Sequence, residues 1–148
     1  MSQYVYQGYF DDVIGGNAGV EDLRVMLVMT NSTFDSQIDV QTMSDFTTID
    51  ECDGAGYVQL DLLSAAAAWD SGNSRLEYDA ADGDLDGGSG IITASTRQVS
   101  GFIVKRYVDG TDANDVPWFG RDIGPYTLAG GAFDFQFNAE GILQLASA

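Results

Sequence analysis

The stretch Glu51-Cys52-Asp53-Gly54-Ala55-Gly56-Tyr57, running on into Val58-Gln59-Leu60-Asp61-Leu62-Leu63, decides how the rest of the chain is read. Two glycines set one residue apart allow positive φ or close backbone approach, either of which strains a residue that carries a side chain. No Gly-Lys-Ser/Thr follows and no helix signal opens here, so a phosphate-cradling loop is a poor fit. A structural turn leading into a β-strand fits better, with Tyr57 planting a large amphipathic ring where that strand begins.

Upstream, residues 22–30 predict a strand. Leu23, Val25, Leu27 and Met29 share one face while Met26 and Val28 make the other apolar too. A strand buried on both sides lies inside a sheet or between two layers. Residues 31–50 are polar and turn-rich, and read as a long surface excursion with one helical turn near 42–46. At the start of the chain Tyr6, Phe10, Val13 and Ile14 stand at i, i+4, i+7 and i+8, the spacing of one apolar helix face. A short helix ending at Gly15-Gly16 follows from it, while the alternating aromatics Tyr4 and Tyr6 equally suit a strand.

Downstream, residues 65–68 are four alanines with high helix propensity. The turn at 70–74 and the alternation at 75–80 favour a hairpin of strands instead. Residues 97–108 read as a strand with a bulge or close approach at Gly101. Residues 116–124 read as an edge-like strand that tolerates Pro117, and Lys105-Arg106 as a solvated strand end, with a contact to an acidic partner as the alternative. Residues 132–138 put Phe133, Phe135 and Phe137 on one face, and a turn at 139–141 leads to Ile142-Leu143-Gln144-Leu145. These two runs predict a closing hairpin. Seven or eight short strands then predict an all-β fold, a single β-sandwich or jelly-roll-like domain over residues 1–148 with an amino-terminal arm or short helix at 1–16.

Charge bounds the function. Twenty-three acids against six bases give a formal net charge of −17, a field that repels nucleic acid and anionic membranes. It suits a solvated surface, a basic partner or divalent cations. Histidine is absent and Cys52 is the only cysteine, which excludes internal disulfides, multi-Cys/His zinc sites, Ser-His-Asp triads and Cys-His dyads. Cys52, flanked by Glu51 and Asp53, reads as an inert small residue. The start of the chain lacks a signal-peptide pattern and no stretch is long enough for a membrane span, so synthesis in a reducing cytoplasm is expected. Asp82-Gly83-Asp84-Leu85-Asp86-Gly87 matches the first half of a calcium loop, but Thr93 stands at the twelfth position where glutamate belongs. A solvated acidic loop is the favoured reading, and neither a metal nor a cofactor is assigned.

The order of these signals resembles a family of small tailed-bacteriophage virion proteins. The likeness rests on the strand at 23–29, the Glu-x-x-Gly-x-Gly-Tyr turn from Glu51 to Tyr57, the hairpin at 65–80 and the strand at 101–107. It closes on Asn-x-x-Gly-Ile-Leu-x-Leu from Asn138 to Leu145. Where that family often carries a tryptophan-bearing turn, this chain has the acidic run 82–90. The resemblance implies a non-enzymatic structural protein on the capsid surface, a decoration or cement protein that binds the major capsid protein and forms homotrimers. Aromatic side chains anchor interfaces, so Tyr4, Tyr6, Tyr9 and Phe10, with Trp118, are the expected docking residues; filling the domain's own core is their alternative role. A tail- or neck-associated virion protein is one rival. A carbohydrate-binding β-sandwich or glycosidase using Trp69, Trp118 and paired carboxylates is another, since carboxylates alone can hydrolyse glycosides.

Overall fold

The computed structural model describes residues 2–17, 22–62, 65–73, 75–85, 92–93, 97–130, 134–135 and 143–146. Within them the chain is mostly β, built from antiparallel sheets and one short helix. The elements are β1 (Gln3–Val5), α1 (Gln7–Gly15), β2 (Leu23–Met29), β3 (Leu60–Asp61), β4 (Ala66–Asp70) and β5 (Arg75–Asp79). They continue with β6 (Gly83–Asp84), β7 (Gln98–Arg106), β8 (Val116–Thr127), β9 (Asp134–Phe135) and β10 (Leu143–Ala146). A five-stranded sheet runs β1-β8-β7-β2-β3, a three-stranded sheet β10-β5-β4, and β6 pairs with β9.

The doubly apolar pattern of β2 has the expected consequence: both faces of the main sheet are buried. Leu23, Val25, Leu27 and Met29 join Phe102, Val104, Trp118, Phe119 and Tyr78 of β5 in one core. Met26, Val28 and Ile103 point the other way, into a second core. The second layer is not a sheet. Phe34, Val40, Met43 and Phe46, all from the stretch expected to lie on the surface, cover that face together with Tyr6. The helical turn expected in this stretch is present as a 3-10 turn at Met43–Asp45. The segment is therefore a folded lid rather than an excursion. Its apolar residues escape detection because they are few and widely set among polar and turn-forming neighbours, too short a pattern for strand or helix periodicity to mark a buried face.

The Gly54–Gly56 passage is a turn, with Gly56 at φ +94°. It lets the chain approach the outer edge of β2 twice. Glu51 bridges to Val28, and the Cys52 N–H donates to the Leu27 carbonyl at 3.0 Å; later β3 pairs with Arg24 and Val25. Between these contacts the Leu27 N–H has no strand beside it, and it donates to the Tyr57 hydroxyl at 3.0 Å. Tyr57 thus substitutes for a missing strand, and burial pushes its own ionisation well above the ordinary tyrosine range. Tyr57→Phe is expected to cost about 1–3 kcal/mol, the cost of an unsatisfied buried donor. Urea unfolding would show it; a loss below roughly 0.5 kcal/mol, the size of an ordinary surface change, would mean that Leu27 has another acceptor.

The bulge expected at Gly101 is present: the β7–β8 register shifts between Val99 and Gly101. A Cβ at Gly101 would run into the Arg121 carbonyl oxygen and the Phe34 ring, so only glycine fits. Strand β8 is not an edge where β1 covers it; Pro117 sits at the other register shift, between Val104 and Lys105, just before that cover begins. Among the described residues the closing hairpin is not formed. β10 pairs with β5 and β9 pairs with β6, so the last two strands belong to different sheets. Neighbouring alternating runs look like a hairpin in sequence, but strand pairing is decided by where sheet edges lie in space. The turn expected at 139–141 lies outside the described residues.

Candidate functional site

Helix α1 reaches the main sheet through its smallest residue. A Cβ at Gly8 would sit 2.7 Å from the Gln41 carbonyl oxygen and from Val116 Cγ1. That closeness lets the Gln7 and Gly8 N–H groups donate to the Ile38 and Val40 carbonyls at 2.9 and 3.0 Å. The orphan donors of the first turn are met by the lid rather than by a capping side chain. At the other end Gly16 adopts φ +74°, a left-handed cap that returns its N–H to the helix.

The helix is locked in place by Asp12, which is buried. Its Oδ1 accepts from Arg106 Nη2 at 2.7 Å, while its Oδ2 accepts from Arg106 Nε at 2.7 Å and from the Trp118 indole N–H at 2.8 Å. One carboxylate thus ties α1 to β7 and β8, and its hydrogen bonds hold the Arg106 guanidinium still more firmly protonated. Tyr9 stacks edge-on to Trp118 at 5.4 Å, and its hydroxyl shares a hydrogen bond with that of Tyr78 at 3.0 Å.

This phase fixes what the helix shows to solvent. Gly8, Tyr9 and Asp12 face inward. Phe10, Val13 and Ile14, three of the four residues of the expected apolar stripe, face outward, with Phe10 51% and Ile14 86% exposed. The stripe is real, but it points away from the core. Of the five residues expected to dock, Tyr6, Tyr9 and Trp118 are buried and fill the protein's own core. Tyr6 donates its hydroxyl to the Phe34 carbonyl at 2.9 Å, and Tyr4 is half-buried, edge-on to Phe34. Phe10 alone is freely presented, and the structure adds Val13 and Ile14 to it. The sequence could not reveal this, because Asp12 decides the phase and its partners lie 94 and 106 residues away.

The basic pair is also unlike its expectation. Lys105 is fully buried, not solvated. Its Nζ lies 2.9 Å from Asp112 Oδ1 and 2.8 Å from Oδ2 of Asp115, which is itself fully buried and accepts the Val108 N–H on its other oxygen. Arg97 pairs with Asp50 and Asp53 and ties the Gly54 turn to the start of β7. The most closely held carboxylates are thus engaged with cations rather than aimed into an open cleft. Burial pushes the Cys52 thiol up, as its acidic flanks do, which suits an inert residue.

Asp82 is exposed and Gly83–Asp84 form the strand β6; Asp86 lies outside the described residues. Among the described residues no group of three His, Cys, Asp or Glu side chains is placed to hold a metal ion, and no helix is long and apolar enough to cross a membrane. Trp69 is exposed and Trp118 buried, so the two tryptophans do not form a shared sugar platform. Compared with family models, curated proteins and solved structures, the chain matches none of them.

Proposed function

We propose that this protein is a non-enzymatic structural component of a tailed-phage virion, a decoration or cement protein that binds the major capsid protein on the outside of the head. The observation that carries this reading is the exposed stripe Phe10, Val13 and Ile14 on a helix whose orientation is fixed by buried polar bonds. Isolated exposed apolar residues need no explanation, but three at i, i+3 and i+4 on a rigid element are an interface motif. The two-sided burial of the main sheet and the packing of Tyr78 from the three-stranded sheet against Tyr9 and Trp118 support a β-sandwich-like slab as its body. The net charge of −17 favours a capsid surface with basic groups around an apolar centre. Several copies, as in a trimer, would multiply contacts that are weak one at a time.

The test is copy number, by quantitative mass spectrometry of purified particles encoding the chain, with wild type and Phe10→Ser/Ile14→Ser compared. Both residues are exposed, so the variant is expected to fold with little loss of stability. Its occupancy should fall at least tenfold, the effect of about 1.4 kcal/mol of lost binding per site. A count proportional to capsid subunits supports decoration, whereas a single ring's worth indicates the neck or tail. Absence of the wild-type chain from mature particles, or undiminished occupancy by the variant, overturns the reading.

A further inference from the structure

Strand β4 is exposed along Ala66, Ala67, Ala68 and Trp69, with Trp69 61% exposed. Its inner edge pairs with β5, setting Ala67 opposite Tyr78, Ala68 opposite Glu77 and Trp69 opposite Leu76. Residues directly opposite in a ladder project from the same face. Tyr78 points into the core, so Ala67 and Trp69 lie on the core-facing side of the sheet, yet both are in solvent. The strand therefore overhangs the core as a ledge. Among the described residues its outer edge has no strand beside it.

Proteins guard such edges with lysine, proline, bulges or charges. None of these occurs from Ala66 to Trp69, and the one charge on β4, Asp70, stands at its end. We infer that the outer edge of β4 pairs with β4 of a second copy, antiparallel about a two-fold axis at Ala68. Two-fold edge pairing keeps the faces of the two sheets in common, so it must be centred on a residue. Centred on Ala68, it places each Trp69 beside Ala67 of the other copy, on the side where both overhang. It also sets each Asp70 against Ala66 rather than against the other Asp70. The three alanines present nothing larger than a methyl group, so the strands can approach to the ladder spacing of roughly 4.8 Å.

Charge and area set the strength. Two chains of −17 repel each other overall, and an uncharged strip is a place where contact brings no like charges together. Four residues of edge pairing bury on the order of a few hundred Å² per copy, less than the roughly 800 Å² of a standard interface. The contact is consequently weak in dilute solution and strengthened by salt. Docking to a basic capsid surface carries the opposite salt dependence. The inference is independent of the proposed head docking, because β4 and α1 are separate surfaces.

Sedimentation equilibrium of the full chain, at low salt and at about 1 M sodium chloride, where the screening length is near 3 Å, tests it. Mass should double relative to its low-salt value as salt and protein concentration rise, with a blue shift in tryptophan emission. That shift reports Trp69, since Trp118 is already buried. Ala68→Lys places two like charges across the axis while facing Glu77 within its own chain, so it should fold and lose at least tenfold in association. Ala68→Val should retain it, and Phe10→Ser/Ile14→Ser should leave it unchanged. A mass independent of salt, an association that weakens with salt, or equal association by Ala68→Lys would overturn the inference.

Discussion

Asp12→Ala is expected to destabilise the protein by about 3–5 kcal/mol, the range for removing one partner of a buried, hydrogen-bonded ion pair. Asp12 is buried and receives three donors from two residues; without it the Arg106 guanidinium loses both arms of a bidentate fork, and the Trp118 indole N–H, on a fully buried ring, loses its only acceptor among the described residues. The methyl group of alanine replaces none of this. A surface ion pair would matter by less than about 1 kcal/mol, but here the acceptor lies under a helix and against a tryptophan. Asp12→Asn keeps the volume yet turns an N–H₂ group toward donors, so it should fall close to alanine. The loss should appear as a lower urea midpoint and a melting temperature reduced by roughly 10 °C, at about 2–4 °C per kcal/mol for a chain of this size. Because Asp12 sets the phase of α1, the particle binding proposed for its exposed stripe should decline with it even where the variant remains folded. A destabilisation below about 1 kcal/mol would show that the helix is held by Gly8 and Tyr9 alone.

What the sequence made legible follows from where its information is local. β2 carries a dense run of apolar β-branched and long residues, and its burial on both faces appears directly as an absence of polar alternation. The Gly54–Gly56 turn and the irregularity at Gly101 are legible because glycine has few reasons to be required at such places. The four alanines at 65–68 mislead by propensity, but the flanking turn and alternation correct it, and β4 and β5 do form a hairpin. What was hidden depends on partners remote in sequence. Phe34 and Phe46 become core residues only because β2 and β7 need cover on their second face. Lys105 is buried only because Asp112 and Asp115 curl back onto it, and the phase of α1 is set by an arginine and a tryptophan from later strands. The exposed stripe on α1 was accordingly half legible. The apolar stripe could be found, while the direction it faces could not.

Lys105→Met provides the second large effect, again about 3–5 kcal/mol, since it leaves the carboxylate of Asp115 buried without a cation. Methionine fills nearly the same volume, so the loss is electrostatic rather than a cavity. The Lys105 contact to Asp115 Oδ2 is an ion pair without an aligned hydrogen bond, and that oxygen has no other donor among the described residues. Adding Asp115→Asn should therefore recover a substantial part of the loss: the amide oxygen can still accept from the Val108 N–H, and no charge remains to be neutralised. A coupling of at least about 2 kcal/mol between the two sites is expected from a double-mutant cycle, within the range for directly contacting residues. Strict additivity would refute the picture of a buried pair. Asp112 supplies an independent readout. Burial tends to raise its carboxyl, but the hydrogen bond and charge of Lys105 outweigh that and leave it below the ordinary aspartate value. A group depressed on folding stabilises the native state above its unfolded pKa, and that contribution disappears as pH falls through the folded one. The wild type should accordingly lose stability across that acidic window. In Lys105→Met the Asp112 contribution to this slope should shrink, because burial is then opposed only by the Gln59 hydrogen bond and the charge of Arg24.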